Sequence, residues 1–223
     1  VADVEFFWDP VCPFAWVTSR WVVEVARQRD YEVDWRFISL RLLNQDRDYP
    51  TEFPEGYPDA HTQGLRLLRV AAAARAAAGR EAMGPLYTRL GEHIWNRRPE
   101  EVDGRLGAIA DVATDAVPAI LEELDLSPAL AAALDDDSWD DAIQSETDEA
   151  LSRTGDDLGT PILTFEPPDG VSFFGPVISR VPADEDALRL WDAVLELASW
   201  PGFAELKRSL REMPQLPLLG ADG

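Results

Sequence analysis

One cysteine, one lysine and two histidines in 223 residues each close off a class of function. Cys12 alone forms no internal disulfide and builds no all-cysteine zinc site, so a reducing, cytoplasmic setting is expected. His61 and His93 stand at no metal-ligand or triad-like spacing, and no metal site is expected. Glycine-rich phosphate loops of the G-x-G-x-x-G or P-loop type are missing, which argues against a nucleotide cofactor. No apolar run reaches the ~18 residues of a membrane span, and the start, Val1 to Trp8, lacks a basic leader region. Positive charge is also scarce: 20 basic residues face 42 acidic ones, a net charge of −22 that repels phosphate backbones and anionic lipid. Nucleic-acid and membrane partners are therefore excluded from the expectation. All the basic residues except Lys207 are arginines, a bias without a chemical consequence here.

What is present suffices for a folded core. The chain is 46% hydrophobic with 8 tryptophans, outside the low-hydrophobicity class that stays unfolded. Its length suits one core carrying an insertion. Val4 to Trp8 reads as a buried strand stopped by Asp9-Pro10. Cys12-Pro13 then starts a helix, because proline at the first helical position has a preset φ and no amide proton to lose. The alternation of Tyr31, Val33, Trp35 and Phe37 predicts a second, parallel strand up to Leu40. Asn44 to Pro58, with three prolines, reads as a loop. Ala60 to Ser152 is Ala- and Leu-rich and predicts four or five short helices. Gly159-Thr160-Pro161 leads a hairpin of strands 162–165 and 171–174 around Pro167-Pro168-Asp169-Gly170. Helices are expected over 184–198 and about 203–212. The acidic run 135–141 lacks the glycine and glutamate of a calcium loop and reads as a solvated helix start.

The order β-α-β, helical insert, β-β-α resembles the thioredoxin-like fold of the DsbA family. The resemblance is carried by Asp9-Pro10-Val11-Cys12-Pro13-Phe14-Ala15-Trp16, by Gly159-Thr160-Pro161 and by Phe173-Phe174-Gly175-Pro176. Thr18-Ser19-Arg20-Trp21, Leu86-Tyr87 and Leu206-Lys207-Arg208 are similar to the actinobacterial branch that includes mycothiol-dependent nitroreductases. The fold class expected is thus α/β, with residues 1–59 and 153–223 as a thioredoxin-like domain and 60–152 as an all-helical insertion domain.

Cys12 is the candidate nucleophile. At a helix N-terminus, unpaired amides and the helix dipole favour thiolate, so its pKa is expected below the free-thiol value of ~8.5. The dithiol relatives carry Cys-Pro-x-Cys, and Ala15 stands where their second cysteine would be. Without a resolving thiol, a mixed disulfide on Cys12 must be resolved by an external thiol, which implies a monothiol cycle. The resemblance assigns Pro161 to the cis-proline loop facing the cysteine, with the Thr160 backbone turned out toward substrate. Pro13, Phe14, Ala15 and Trp16 complete the expected thiol and substrate site, Phe14 as its rim, while Trp8 and Trp16 suit core packing. His93 is a weaker candidate for a base.

The expected function is a thiol-dependent oxidoreductase acting through Cys12 on a disulfide or a small electrophile such as a nitroarene. Mycothiol or a similar small thiol is its cosubstrate, no cofactor is bound, and homodimerisation is left open. The alternatives are an enzyme similar to kappa-class glutathione transferases and chromene-carboxylate isomerases that activates a bound thiol, and a degenerate thiol or peptide binder.

Overall fold

In a computed structural model of the chain, residues 2–98, 106–155, 159–209 and 212–220 are described. Strand β1 (Val4–Trp8) is buried along its whole length, which explains its unbroken apolar and aromatic run. It pairs in parallel with β2 (Val33–Phe37), Val4 opposite Val33 and Trp8 opposite Phe37. On its other side β1 pairs antiparallel with β3 (Ile162–Phe165), which pairs antiparallel with β4 (Val171–Phe174). The sheet order is β2-β1-β3-β4.

Helix α1 (Pro13–Arg29) provides the crossover from β1 to β2 and stops at Asp30, whose φ of 56° is left-handed. Its buried stripe of Ala15, Trp16, Trp21, Val22 and Val25 joins Val4, Phe6 and Trp8 on one face of the sheet, together with Trp191 of α8 (Asp184–Ser199). The opposite face carries Phe7, Ile38 and Ile162 against Ala150 of α7 (Asp140–Thr154). Charge is buried there as well. Arg36 lies within ion-pair distance of Glu5, Glu146 and Glu149, while Arg153 and Arg75 hold Glu5 and Glu146 from the other side.

Between β2 and β3 the described chain is helical. α2 (Leu40–Leu43) and α3 (Tyr49–Glu52) are single turns, followed by α4 (Tyr57–Ala78), α5 (Met83–Trp95), α6 (Leu106–Glu123), a 3₁₀ segment over Pro128–Asp135, and α7. With strands and crossover in this order, the molecule is a thioredoxin-like fold with a helical insertion.

Three local expectations are corrected. Residues 44–58 are not one loop, because Pro50 and Pro58 occupy the first turns of α3 and α4, where proline starts a helix rather than breaking one. The insertion uses longer helices than expected: α4 runs 22 residues to Gly79, and α6 continues through Pro118. Pro99, a helix-breaking residue by its type, lies outside the described residues. No helix forms over 203–209; there Phe203 stacks on Phe173 at 5.9 Å and Leu206 is exposed, so the segment has no buried face to stabilise a helix. No described helix is long and apolar enough to cross a membrane.

Candidate functional site

The site is built from the loop between β1 and α1. Its backbone is closed by the Cys12 amide donating to the Asp9 carbonyl at 3.1 Å, and Cys12 becomes the N-cap of α1 with Pro13 following it. Cys12 Sγ accepts the Ala15 amide at 3.4 Å and donates to the Thr160 carbonyl at 3.4 Å. The Thr160–Pro161 peptide is cis. Thr160 Oγ1 donates to the Phe7 carbonyl at 3.2 Å, and the Gly175 amide donates to the Pro161 carbonyl at 2.8 Å, so β1 and β4 both hold this loop opposite the sulfur.

The residues singled out in the sequence therefore meet, though not all in the roles expected. Cys12, Ala15 and Trp16 are buried, and Pro13 and Phe14 are half-buried. Trp16 and Trp8 are core residues that enclose Tyr87: Trp8 stacks on its ring at 4.2 Å and Trp16 meets it edge-on at 5.7 Å. The Thr160 carbonyl faces the sulfur rather than solvent, which corrects the expectation of an outward, strand-pairing backbone. His93 is engaged within its own helix, Nδ1 lying 3.0 Å from the Arg89 carbonyl. His61 is buried with Nδ1 3.0 Å from Tyr49 Oη, and burial, with the Arg41 charge, pushes its pKa down to about 4.

The helical insertion seats directly on this loop. Trp95 Nε1 of α5 donates to the Pro10 carbonyl at 3.0 Å. A Cβ at Gly91 of α5 would stand 2.1 Å from the Trp16 ring, and one at Gly64 of α4 would stand 2.7 Å from both Asp9 Oδ1 and Val11 Cγ2. Glycine at these two positions is what lets the helices approach. Contact rather than an open cleft results. Cys12 is 7% exposed, and the cavities of about 410 and 470 Å³, beside Arg75 and Trp139 and along 183–186, are not lined by the cysteine loop.

Enclosure reverses the expected acidity of the thiol. Burial pushes the Cys12 pKa up to about 12, and the neighbouring Asp9 charge adds to the rise; the Ala15 and Phe14 amides pull it down but do not win. Asp9, which sequence reading treated only as a strand stop, is completely buried. Its Oδ1 accepts the Val11 amide at 3.0 Å and its Oδ2 the Leu40 amide at 2.8 Å, yet burial still lifts its carboxyl to about 7. Among the described residues no group of three or more His, Cys, Asp or Glu side chains could hold a metal ion.

A cysteine capping the first helix of a thioredoxin-like fold, opposite a cis-proline loop on the central sheet, places the chain in the class of thioredoxin-fold proteins with a cysteine at the helix start. Within that class the chain belongs to the Rv2466c-like family of mycothiol-dependent nitroreductases, whose model matches residues 11–208. It is 31% identical over 212 residues to the uncharacterized protein Rv2286c of Mycobacterium tuberculosis, covering 93% of this chain and 82% of that one. Two solved structures share the fold. One is a 2-hydroxychromene-2-carboxylate isomerase (TM-score 0.52, 13% identity, 87% of this chain and 95% of that one). The other is the cytosolic disulfide reductase DsbM of Pseudomonas aeruginosa (TM-score 0.51, 18% identity, 87% and 99%). Membership of the family implies a low-molecular-weight thiol as cosubstrate.

Proposed function

We propose that this protein is a cytoplasmic, monothiol reductase in which Cys12 exchanges with mycothiol or a similar small thiol to reduce a disulfide or a small electrophile such as a nitroarene. One observation carries the reading: the sulfur of Cys12 sits at the helix start against the Thr160 carbonyl, and the chain holds no second cysteine to resolve it. Residues 1–59 and 153–223 supply the thioredoxin-like domain and 60–152 the helical domain over it. Pro13, Phe14, Ala15 and Trp16 on one side, and Thr160 and Pro161 on the other, shape the thiol site.

In disulfide reduction the Cys12 thiolate attacks RS–SR′ and R′S⁻ leaves and takes a proton. A cosubstrate thiolate then attacks the Cys12–S–S–R bond, expelling Cys12 and carrying R away as a disulfide. In nitroarene reduction, the Cys12 thiol and one cosubstrate thiol supply two electrons and two protons. The products are nitroso compound, water and the mixed disulfide on Cys12, which a second cosubstrate thiol releases.

A second reading follows from the protonated thiol. Held neutral by burial, Cys12 Sγ–H can donate to a bound cosubstrate thiolate, as a transferase or isomerase would require. Turnover by Cys12→Ser separates the two. Loss of turnover, together with loss of the small-thiol adduct in intact-mass spectra, supports the reductase. A serine variant as active as the natural protein overturns it in favour of thiol activation by hydrogen bonding.

A further inference from the structure

Asp9 takes no part in the exchange just described, yet its carboxyl is 0% exposed in the same turn as the nucleophile. The turn fixes it there, since both oxygens accept backbone amides and its own carbonyl accepts the Cys12 amide. Each neighbouring element has an identifiable group against it. Its own loop contributes Cys12, α2 the Leu40 amide, α4 the uncharged Gly64, and α5 the Tyr87 phenol, which burial keeps neutral. The cation behind Tyr87 is Arg20 of α1, and its guanidinium stacks 4.1 Å over Trp16 and bonds to Thr88. Among the described residues no cation pairs with Asp9 at ion-pair distance. A negative charge there therefore works against a second one on the sulfur, in a buried setting where bulk solvent screens both poorly.

We propose that Asp9 is a positioning residue that couples release of Cys12 from its mixed disulfide to uptake of one proton by the site, and so makes this cysteine a reducing rather than an oxidising thiol. The proposal rests on the reading of Cys12 as an exchange nucleophile. The step is R′S⁻ + Cys12–S–S–R + H⁺ → RS–SR′ + Cys12–SH: the S–S bond at Cys12 breaks, a new one forms between R and R′, and the departing sulfur ends protonated. While Asp9 is ionised, expelling Cys12 as thiolate sets two negative charges within one buried turn. Once Asp9 is protonated, the thiolate can form and take its proton within the turn. A sulfur that leaves poorly as thiolate makes a disulfide that resists reduction. Burial places the carboxyl's changeover at about 7, where a small change in pH alters the balance.

The test reads the thiolate and not turnover. The ultraviolet thiolate absorbance of the natural protein is titrated from about pH 6 to pH 11, with Cys12→Ser as the blank, and the same pair is made in an Asp9→Asn background. The natural midpoint lies near 12 and removing the charge is expected to lower it by about one unit or more, so the thiolate fraction read at pH 11 should rise from about a tenth to about a half. A midpoint that stays or moves up overturns the proposal and leaves Asp9 as a brace for the loop. Should Asp9→Asn fail to fold, carbon NMR of the natural protein decides: a carboxyl midpoint near 7 supports the coupling, and one in the ordinary carboxylate range overturns it. Neither titration depends on substrate. Persistent turnover by Cys12→Ser would refute the exchange reading while leaving the Asp9–Cys12 titration to be judged separately.

Discussion

The two displaced titrations near the cysteine loop give stability profiles of opposite sign, and a difference measurement can separate them. Asp9 rises from 3.8 to about 7 on folding. Between those values the native state binds one more proton than the unfolded state, so its contribution is full below pH 4 and is lost as pH rises toward 7. His61 falls from 6.5 to about 4; the unfolded state binds the extra proton, and stability grows with pH up to 6.5. At about 1.4 kcal/mol per pH unit, with each slope flattening as its upper midpoint is reached, from pH 5 to 7 the first group removes about 2 kcal/mol and the second adds slightly less, about 2 kcal/mol. The natural protein should therefore show a nearly flat profile from this pair, the two limbs cancelling to within about 1 kcal/mol. Asp9→Asn removes the falling limb, so its stability relative to the natural protein should climb by about 2 kcal/mol between pH 5 and 7. An amide cannot accept both the Val11 and Leu40 amides, which adds a pH-independent cost of about 1–3 kcal/mol. The slope is therefore the diagnostic, not the offset. His61→Gln should bend the difference curve the other way by about 2 kcal/mol. Urea unfolding followed by the fluorescence of the 8 tryptophans supplies the curves, starting at about pH 5 because an acidic chain loses solubility as its carboxylates protonate. A flat Asp9→Asn difference curve would refute a protonated Asp9 in the folded state.

Other substitutions probe the packing that encloses the site. Gly91→Ala puts a methyl 2.1 Å from Trp16, and the helix-propensity gain of about 1 kcal/mol should be outweighed by overpacking, giving a net loss of up to about 2 kcal/mol in urea unfolding. Arg36→Ala leaves Glu5 and Glu146 buried with, among the described residues, Arg153 and Arg75 as their cationic partners, so a loss of about 3 kcal/mol is expected in urea unfolding. Ala15→Cys places a second thiol one helical turn from Cys12, where the Ala15 amide already contacts Sγ; oxidation should close a 12–15 disulfide and expel any small-thiol adduct, seen as a mass loss.

Elements whose signals are local were legible in the amino-acid pattern. Val4 to Trp8 is apolar at both parities because both its faces are covered, and Cys12-Pro13 marks the start of α1 because an N-cap and an N1 proline are adjacent by definition. The hairpin turn at 167–170 is equally local. Proline was ambiguous. The same residue that breaks a helix interior opens a first turn, and nothing within a few residues of Pro50 or Pro58 distinguishes the cases. Asp9 was the larger omission, since Asp-Pro after a strand is a common surface turn. Gly64 is its distant signal, a glycine inside a helical stretch, tolerated at a cost because the Asp9 and Val11 side chains pass close by; Gly91 plays the same part for the Trp16 ring.

The acidity of Cys12 is not legible in the sequence for the same reason. The helix-terminus argument concerns two amides within three residues of the sulfur, and both do act in the expected direction. Desolvation comes from residues 50 to 150 positions away, from α4, α5 and the Thr160 loop, and in this enclosure it exceeds what two amides return. A thiolate-stabilising helix start placed beneath a lid therefore gives a thiol that keeps its proton until something displaces the lid, neutralises Asp9, or replaces the S–H with a disulfide bond. The last of these removes the charge problem altogether, because a mixed disulfide is neutral whatever its surroundings. Burial and the Asp9 carboxylate thus both favour the neutral thiol over the free thiolate, and without a second cysteine no internal disulfide competes with it.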